Sequence, residues 1–487
     1  MHRFLPILAC LAALQVSQLA AQTALPDLRG TDEPDEIVTA DDGSNQAVER
    51  ADPNPTQANV FALRGRLNSA EAEIGSSGLG ANGRVVPVRP FSDRLAAVNR
   101  SARLSQGRID ESVFGGDTTF DTPRGIRIGS FTLIPQLTTT GGWSDNTSRS
   151  PTGKPGGFYR IAPDFALTSD WVRHQFDASL RGSYAAFPSN RDDDDASGTA
   201  TASLRLDVSE STQVDGDISY SLSREEDGSA ESSSGITYVH DGTATLSGTR
   251  NVGLIAATAE IGADRTQYNS DDTDESGRDN TVFSASLRLD GNAGGLLSPF
   301  TEGSLLFRRF DQTCSDSLCE QRDANGYELR GGVAIAAGPK LVGEIGLGWR
   351  IEDLEDRRLN DLAGLLVDGS LVWSPSRLTT VTAGVGTSFE ATDIDGASGS
   401  IIYSGDLRLA HGFSDRFVGE VGVGYSYRIY QGAAIEERTL NGRGGLTFAL
   451  TKNVALTTNY LHRRFDSSSD GSDYTENAVE AGLRFRH

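Results

Sequence analysis

The chain of 487 residues carries a formal net charge of −23 and has a mean hydropathy of −0.34. It contains no run of about 18 apolar residues, which excludes a protein that crosses a membrane with helices. Its acidic pI of about 4.7 argues against nucleic-acid binding. The same composition suits a transmembrane β-barrel, because half of each strand in such a barrel faces a polar interior.

The first residues predict a signal peptide over residues 1–21. A basic start, Met1-His2-Arg3, precedes an apolar run from Phe4 to Leu14, and small residues end at Ala21. Cys10 loosely resembles a lipoprotein cleavage site, but too few apolar residues precede it for a proper core. We therefore expect export through a cleaved signal peptide.

Residues 22–122 form an irregular, polar stretch that we interpret as a periplasmic extension, largely disordered. Two segments have weak helical patterns, Ala58 to Ile74 and Ser92 to Gln106. Neither has enough apolar surface to fold alone. The extension is predicted to contact a periplasmic partner or, as the alternative, to act as a plug.

From residue 125 to residue 487 the pattern is that of an all-β, up-and-down antiparallel transmembrane barrel. Short segments with period-two alternation are separated by connections that are alternately tight and long, as at Ser374 to Arg377 and at Asp311 to Asn325. Outer-membrane barrels have short periplasmic turns and long external loops. Eight tight turns and nine long loops predict 18 strands, within a range of 16 to 18. The alternative, a two-layer β protein, would need more Leu, Ile and Phe in its core.

Alternation assigns one face of each strand to lipid and the other to a polar lumen. In the segment from Leu341 to Glu352, for example, Leu341, Ile345 and Leu347 share one face, whereas Glu344 and Arg350 lie on the other. Charged residues of both signs are predicted to face the lumen, where they either line a water-filled channel or pair and narrow it; they are Glu302, Glu344, Arg350, Arg408, Glu420, Arg428, Glu480 and Arg484.

The start of the barrel, Gly125 to Leu137 followed by Gly141-Gly142-Trp143-Ser144-Asp145-Asn146, resembles the first strand of the family called putative β-barrel porin 2. The resemblance implies a Gram-negative outer-membrane location and a barrel over about three quarters of the chain, with no catalytic set. It also implies a role in exopolysaccharide export as one alternative. The last strand, which ends at Phe485 and His487, resembles the signal that the barrel-assembly machinery recognises.

Other motifs carry little chemistry. Gly78 to Gly83 matches a dinucleotide fingerprint but lacks the strand and helix that this motif requires. Cys314 and Cys319, five positions apart in a predicted external loop, are expected to form a local disulfide rather than free thiols or a metal site. The acidic loops lack the spacing of a calcium site. We expect no enzyme activity, metal or cofactor.

The sequence therefore predicts a porin-like channel for small hydrophilic solutes or ions, either passive or gated. Two alternatives remain: the outer-membrane component of a polysaccharide export route, and a structural or surface-interaction barrel without an open pore. The expected partners are outer-membrane lipid, lipopolysaccharide and the barrel-assembly machinery, with no nucleic acid.

Overall fold

The structure, a computed structural model, describes residues 125–487. Gaps in this range fall at 190, 226–227, 232–235, 271–275, 292–295, 314–317, 338–340, 377, 415 and 470. The predicted signal peptide, Cys10, the extension with its two helical segments and the fingerprint at Gly78 to Gly83 all lie outside the described residues.

The described chain is a closed antiparallel barrel of 18 strands, β2 to β19, with a short strand β1 paired to the start of β2. Each strand pairs with its neighbours in sequence, and β19 closes the barrel on β2 from Ala478↔Ser144 to Arg486↔Gln136. The predicted architecture and strand number are confirmed. Closure leaves no sheet edge exposed to lipid, which a membrane requires.

The first half of the barrel begins at the N-terminal end of the described chain. Its strands are β1 (Ile126–Ile128), β2 (Phe131–Ser144), β3 (Gly156–Ser169), β4 (Gln175–Ala186), β5 (Asp195–Ser209), β6 (Thr212–Arg224), β7 (Thr237–Val252), β8 (Ile255–Ser270), β9 (Asn280–Gly291) and β10 (Leu297–Phe310). Two single-turn 3₁₀ helices, Arg191–Asp193 and Ser276–Arg278, lie in its long loops.

The second half has the same up-and-down order. Its strands are β11 (Ala324–Ala337), β12 (Leu341–Leu354), β13 (Leu362–Ser376), β14 (Thr379–Glu390), β15 (Gly399–Ser414), β16 (Phe417–Gln431), β17 (Glu436–Ala449), β18 (Val454–Ser467) and β19 (Tyr474–Arg486). Among the described residues, no helix has the length and apolar character needed to cross a membrane.

The two faces of the wall differ as the alternation requires. On β12, Ile345, Leu347 and Trp349 are more than half exposed on the outer face, although they are large and apolar. The residues that alternate with them on the inner face are less exposed, and Glu352 is buried. An exposed apolar band on a closed barrel is the surface that faces lipid.

The two ends of the barrel differ as well. At the end with the tight turns, the turn residues are exposed; Val172 is 94% exposed and Leu254 is 72% exposed. At the end with the long loops, polar loop residues such as Arg149 and Thr392 are buried. We call these the turn end and the loop end. Only the loop end has packed loops among the described residues, so it is where we look for a functional site.

Candidate functional site

At the loop end, the wall separates between β13 and β14. Their ladder runs from Gly369↔Val385 toward the turn end, and no pairing continues above it. The Thr387 hydroxyl spans the break: it accepts a bond from the Val367 amide at 2.9 Å and donates one to the Val367 carbonyl at 3.2 Å. In contrast, β14, β15 and β16 stay paired to their loop-end residues. The end of the β14–β15 hairpin, residues 387–402, therefore follows β16 away from β13. We call it the hairpin tip.

The back of the hairpin tip packs on the inner face of the wall. Phe389 and Ile401 join a buried apolar cluster with Leu354, Leu362 and Leu366 of β12 and β13. Between these strands the contact is close, since a Cβ at Gly364 would lie 2.6 Å from Cδ1 of Ile401. Because Leu362 and Leu366 belong to the inner face of β13, the hairpin tip lies inside the barrel.

Three arginines hold the hairpin tip from other parts of the barrel. Arg308 of β10 donates to the Phe389 carbonyl at 3.0 Å. Arg322, in the β10–β11 loop, donates to the carbonyls of Ile394 and Ala397, each at 2.9 Å.

Arg428 of β16 pairs with Glu390 at 2.5 Å. Guanidinium groups suit this role because they supply several donors in a fixed fork. The tip is thus fixed by ion pairs and backbone contacts in addition to its apolar back.

A second segment reaches into the loop end from the β6–β7 loop. Its described residues, 228–231, form what we call the crossing segment. The Ala230 amide donates to Oε1 of Glu437 at 2.6 Å, and Ser229 lies 3.5 Å from Oε2 of the same carboxylate. Glu437 belongs to β17, nearly opposite β6 in the strand order. Gly228 lies against the Phe465 ring, where a Cβ would be 2.8 Å from a ring carbon. The crossing segment therefore lies against β17 and β18 at the loop end.

The crossing segment ends at a buried carboxylate, Glu231. Its Oε2 lies 3.8 Å from Nη1 of Arg278, a guanidinium that also binds Glu225 at 2.7 and 2.9 Å and stacks over the Tyr268 ring. Burial raises the pKa of Glu231 well above its usual range; the Arg278 guanidinium opposes this shift, and the neighbouring carboxyl of Asp393 adds to it. The carboxyl thus links the crossing segment to the loop of the hairpin tip.

Four of the residues predicted to face the lumen lie in ion-paired clusters. Glu302 is 3% exposed and binds Arg330 at 2.8 Å. Glu344 binds Arg288 through both oxygens, at 2.8 and 2.9 Å.

Arg350 pairs with Glu352 and lies 4.7 Å from the centre of the Phe389 ring. Arg428 belongs to the contacts of the hairpin tip described above. The structure therefore brings Arg350 and Arg428 to the tip, whereas Glu302 and Glu344 lie nearer the turn end.

The other predicted residues lie on β15, β16 and β19. Glu480 binds Arg160 at 3.1 Å and is buried. Arg408, Glu420 and Arg484 are partly buried, and Glu420 interacts electrostatically with Arg484. The contacts described above do not join any of these four residues to the hairpin tip. The predicted lumen residues are therefore distributed over a larger part of the barrel than the site.

Sequence reasoning missed Arg308, Glu437 and the two loop carboxylates Glu231 and Asp393. Arg308 could have been found because it has the same alternation phase as Glu302 on β10. Glu437 could have been found because it alternates with the apolar residues of β17, Leu440, Leu446 and Phe448. Nothing in the sequence indicates that the β6–β7 and β14–β15 loops fold inward, since both look like ordinary polar connections.

The structure has Cys319 in a disulfide bond, with a left-handed backbone at φ 55°. Cys314 lies outside the described residues, so the predicted pairing of Cys314 with Cys319 stays a prediction. Within the described part of the chain, no group of three or more His, Cys, Asp or Glu side chains is placed to hold a metal ion.

A closed barrel with an exposed apolar band, a charged inner face and inward-folded loops defines an outer-membrane β-barrel of the porin type. The chain belongs to the family described as "Putative beta-barrel porin 2", which matches residues 120–487. This membership and the fold point to the outer membrane.

Three solved structures illustrate what the chain is similar to. OpdK from Pseudomonas aeruginosa is 13% identical, with a TM-score of 0.38, and the match covers 73% of this chain and 99% of that one. OccK2 (OpdF) from the same species, in complex with glucuronate, is 11% identical, with a TM-score of 0.39 and coverage of 74% and 100%. The siderophore receptor PirA from P. aeruginosa is 12% identical, with a TM-score of 0.34 and coverage of 75% and 81%. No curated protein matches the chain.

Proposed function

We propose that the protein is a gated channel for small hydrophilic solutes or ions. The supporting observation is the hairpin tip, which narrows one end of a closed 18-strand barrel whose inner face is charged. A barrel of this strand number is wide enough for an aqueous lumen unless something fills it. A constriction inside such a lumen is the element that would limit which solutes pass.

The crossing segment, rather than the hairpin tip, is the part that would open. Each large apolar side chain buried behind the tip contributes about 1.5–3 kcal/mol, so five of them fix the tip firmly. The crossing segment is held by a hydrogen bond to Glu437 and by the contact of the Glu231 carboxyl with Arg278 at 3.8 Å. A typical hydrogen bond contributes only about 0.5–1.5 kcal/mol net, so this segment can leave at lower cost.

Single-channel conductance in a planar bilayer tests the proposal. In one variant, residues 391–398 are replaced by Asn-Gly, a pair that favours a tight hairpin. We expect larger conductance steps than in the unaltered protein, because the loop that completes the constriction is removed. The matched control changes the exposed side chains of Glu355 and Arg357 in the β12–β13 loop to Gln and should leave the steps unchanged.

If the variant folds correctly but neither it nor the unaltered protein gives conductance steps, the proposal of a channel is contradicted. Folding is checked independently by heat-dependent mobility on gels and by circular dichroism. Silence in both forms would favour the two other roles, a polysaccharide export component that needs a partner or a barrel that only anchors its external loops.

A further inference from the structure

Glu390, at the hairpin tip, acts on groups from both sides of the barrel. Its carboxylate pairs with Arg428 of β16, and it also lies within electrostatic range of Asp241 of β7 and Arg308 of β10. β7 and β16 are nine positions apart in the ring of 18 strands, so they lie on opposite sides of the lumen. Because exposed charges are screened beyond about 10 Å at moderate salt, one carboxylate acts on both walls only where the lumen is narrow.

The hairpin tip gives Glu390 this position. The tip contacts β10, β12, β13 and β16 through the residues described above, so it covers one side of the lumen. Glu390 follows Phe389, whose ring packs on the wall, and alternation therefore turns the Glu390 side chain away from that wall. The Glu390 side chain is 38% exposed, whereas that of its partner Arg428 is 21% exposed. Glu390 therefore borders the passage between the tip and the opposite strands.

Asp241 lies on the opposite side of this passage and is held by neutral groups. Its Oδ1 accepts a hydrogen bond from the Thr266 hydroxyl at 2.9 Å, and the Ser221 hydroxyl bonds the same carboxylate. These residues are direct neighbours on the inner face of β6, β7 and β8. The charged groups that act most strongly on Asp241 are two carboxylates, those of Glu390 and Asp264. Asp241 therefore presents a carboxylate to the passage with no arginine among these contacts.

Two arginines near the passage are held by carboxylates of the loop end. Arg428 pairs with Glu390 and also lies 3.9 Å from Glu437 of β17, so one guanidinium serves two carboxylates. Arg278 is bound by Glu225 through both oxygens, at 2.7 and 2.9 Å. Neither arginine therefore adds an excess of positive charge to the passage.

Two further arginines, Arg308 and Arg350, lie on β10 and β12. Both pair with Glu352 and both act on Asp264, so their two positive charges are matched by two negative ones. In the contacts described here, the acidic groups are therefore in excess by the charge of Asp241 and by one carboxylate at the hairpin tip. The passage beside the tip is net negative over these side chains.

We propose that Glu390 and Asp241 form the charge filter of the channel and make it admit small cations, inorganic or ammonium-bearing, in preference to anions. The inference rests on the proposed function and deepens it by naming the class of solute. Two carboxylates that face each other across a narrow aqueous passage raise the local concentration of cations, because the surrounding protein focuses their field. The same field repels anions, and salt weakens it.

The reactivity of a thiol beside Glu390 tests the filter without requiring that the barrel conducts. Ser388→Cys places the thiol on the same face of β14, two residues before Glu390. Its rates with a positively and a negatively charged methanethiosulfonate are compared in the full mature protein, with Glu390→Gln plus Asp241→Asn, and with Asp217→Asn. Asp217 is the matched control, because it is an inner-face carboxylate bonded by a hydroxyl, that of Ser203, and lies nearer the turn end.

We expect the ratio of the cationic to the anionic rate to be about tenfold higher in the unaltered background than in the double variant. High salt should lower this ratio, and Asp217→Asn should leave it close to the unaltered value. In a planar bilayer under a salt gradient, the reversal potential of the unaltered protein should show a preference for cations that the double variant lacks.

Equal rate ratios in the unaltered background and in the double variant would overturn the proposal, and so would a thiol that reacts with neither reagent. The same fall in the ratio for Asp217→Asn would also overturn it, because the preference would then belong to the lumen as a whole. A barrel that gives no conductance steps but shows the expected rate ratios would contradict the proposed function alone.

Discussion

The inner faces of β5 to β8 and of β9 to β13 carry the same residue types but use them differently. On β9 to β13, each inner-face arginine pairs with at least one carboxylate, and Arg288 is 2% exposed. On β5 to β8, carboxylates outnumber arginines on the inner face, and the ion pair of Arg205 with Asp215 is partly exposed. Alternation phase alone therefore does not distinguish a charged side chain with a structural role from one that is available to solutes. The two are distinguished by how many ion-pair partners the side chain has and by how deeply those partners are buried.

The largest expected difference in the free energy of unfolding is between two variants, one that lacks an arginine of β9 to β13 and one that lacks an arginine of β5 to β8. Arg308→Met removes the bidentate partner of buried Glu352, which keeps Arg350, and also frees the Phe389 carbonyl of the hairpin tip. Such a loss costs about 3–5 kcal/mol. Arg205→Met, the matched variant on the inner face of β5, removes a partly exposed pair and should cost about 0–1 kcal/mol.

Urea unfolding in lipid vesicles, followed by tryptophan fluorescence, measures both variants. Equal losses of unfolding free energy would mean that the ion pairs of the two inner faces contribute equally to stability, which would contradict the difference described above.

A smaller effect is expected behind the hairpin tip. Leu366→Ala empties part of the apolar cluster and should cost about 2–5 kcal/mol, with added fluctuation in channel conductance as the tip loosens. The matched control is Leu365→Ala, one residue away on the outer face, where the side chain is 44% exposed. The same cost for both would show that the cluster does not support the tip specifically.

The barrel itself was predictable because its signals are local. Short turns, such as Ser374 to Arg377, and long acidic loops alternate along the chain. Within each strand, apolar and polar residues alternate with a period of two. Strand number and direction follow from counting these connections. The assignment of charged residues such as Glu302 and Glu344 to the inner face follows from the same alternation of apolar and polar residues.

The site was not predictable, because it depends on contacts between distant parts of the chain. The departure of the hairpin tip from β13 is set by Leu362, Leu366 and Ile401, which look like any other apolar strand residues. Likewise, Ala230 meets Glu437 across more than 200 positions of sequence. No periodicity connects such residues, so only the folded barrel reveals them.

The smallest expected effect concerns the pH dependence of the crossing segment. The pKa of Glu231 is raised in the folded protein, mainly by burial, so the folded state binds its proton more tightly than the unfolded state does. Stability should therefore fall as the pH rises from the usual glutamate range toward the raised value. Arg278 and Asp393 share the site, and Tyr430 and Glu437 lie within electrostatic range of it.

Glu231→Gln keeps the side chain neutral at every pH and should remove this dependence. At about pH 4 the variant and the unaltered protein should unfold at similar urea concentrations, since both carry a neutral side chain there. As the pH rises, the unaltered protein should become the less stable of the two. Glu355→Gln, an exposed carboxylate in the β12–β13 loop, serves as the control and should track the unaltered protein. A stability difference for Glu231→Gln that stays constant across this range would mean that Glu231 is ionised in the closed loop end, with Arg278 as its full counter-charge.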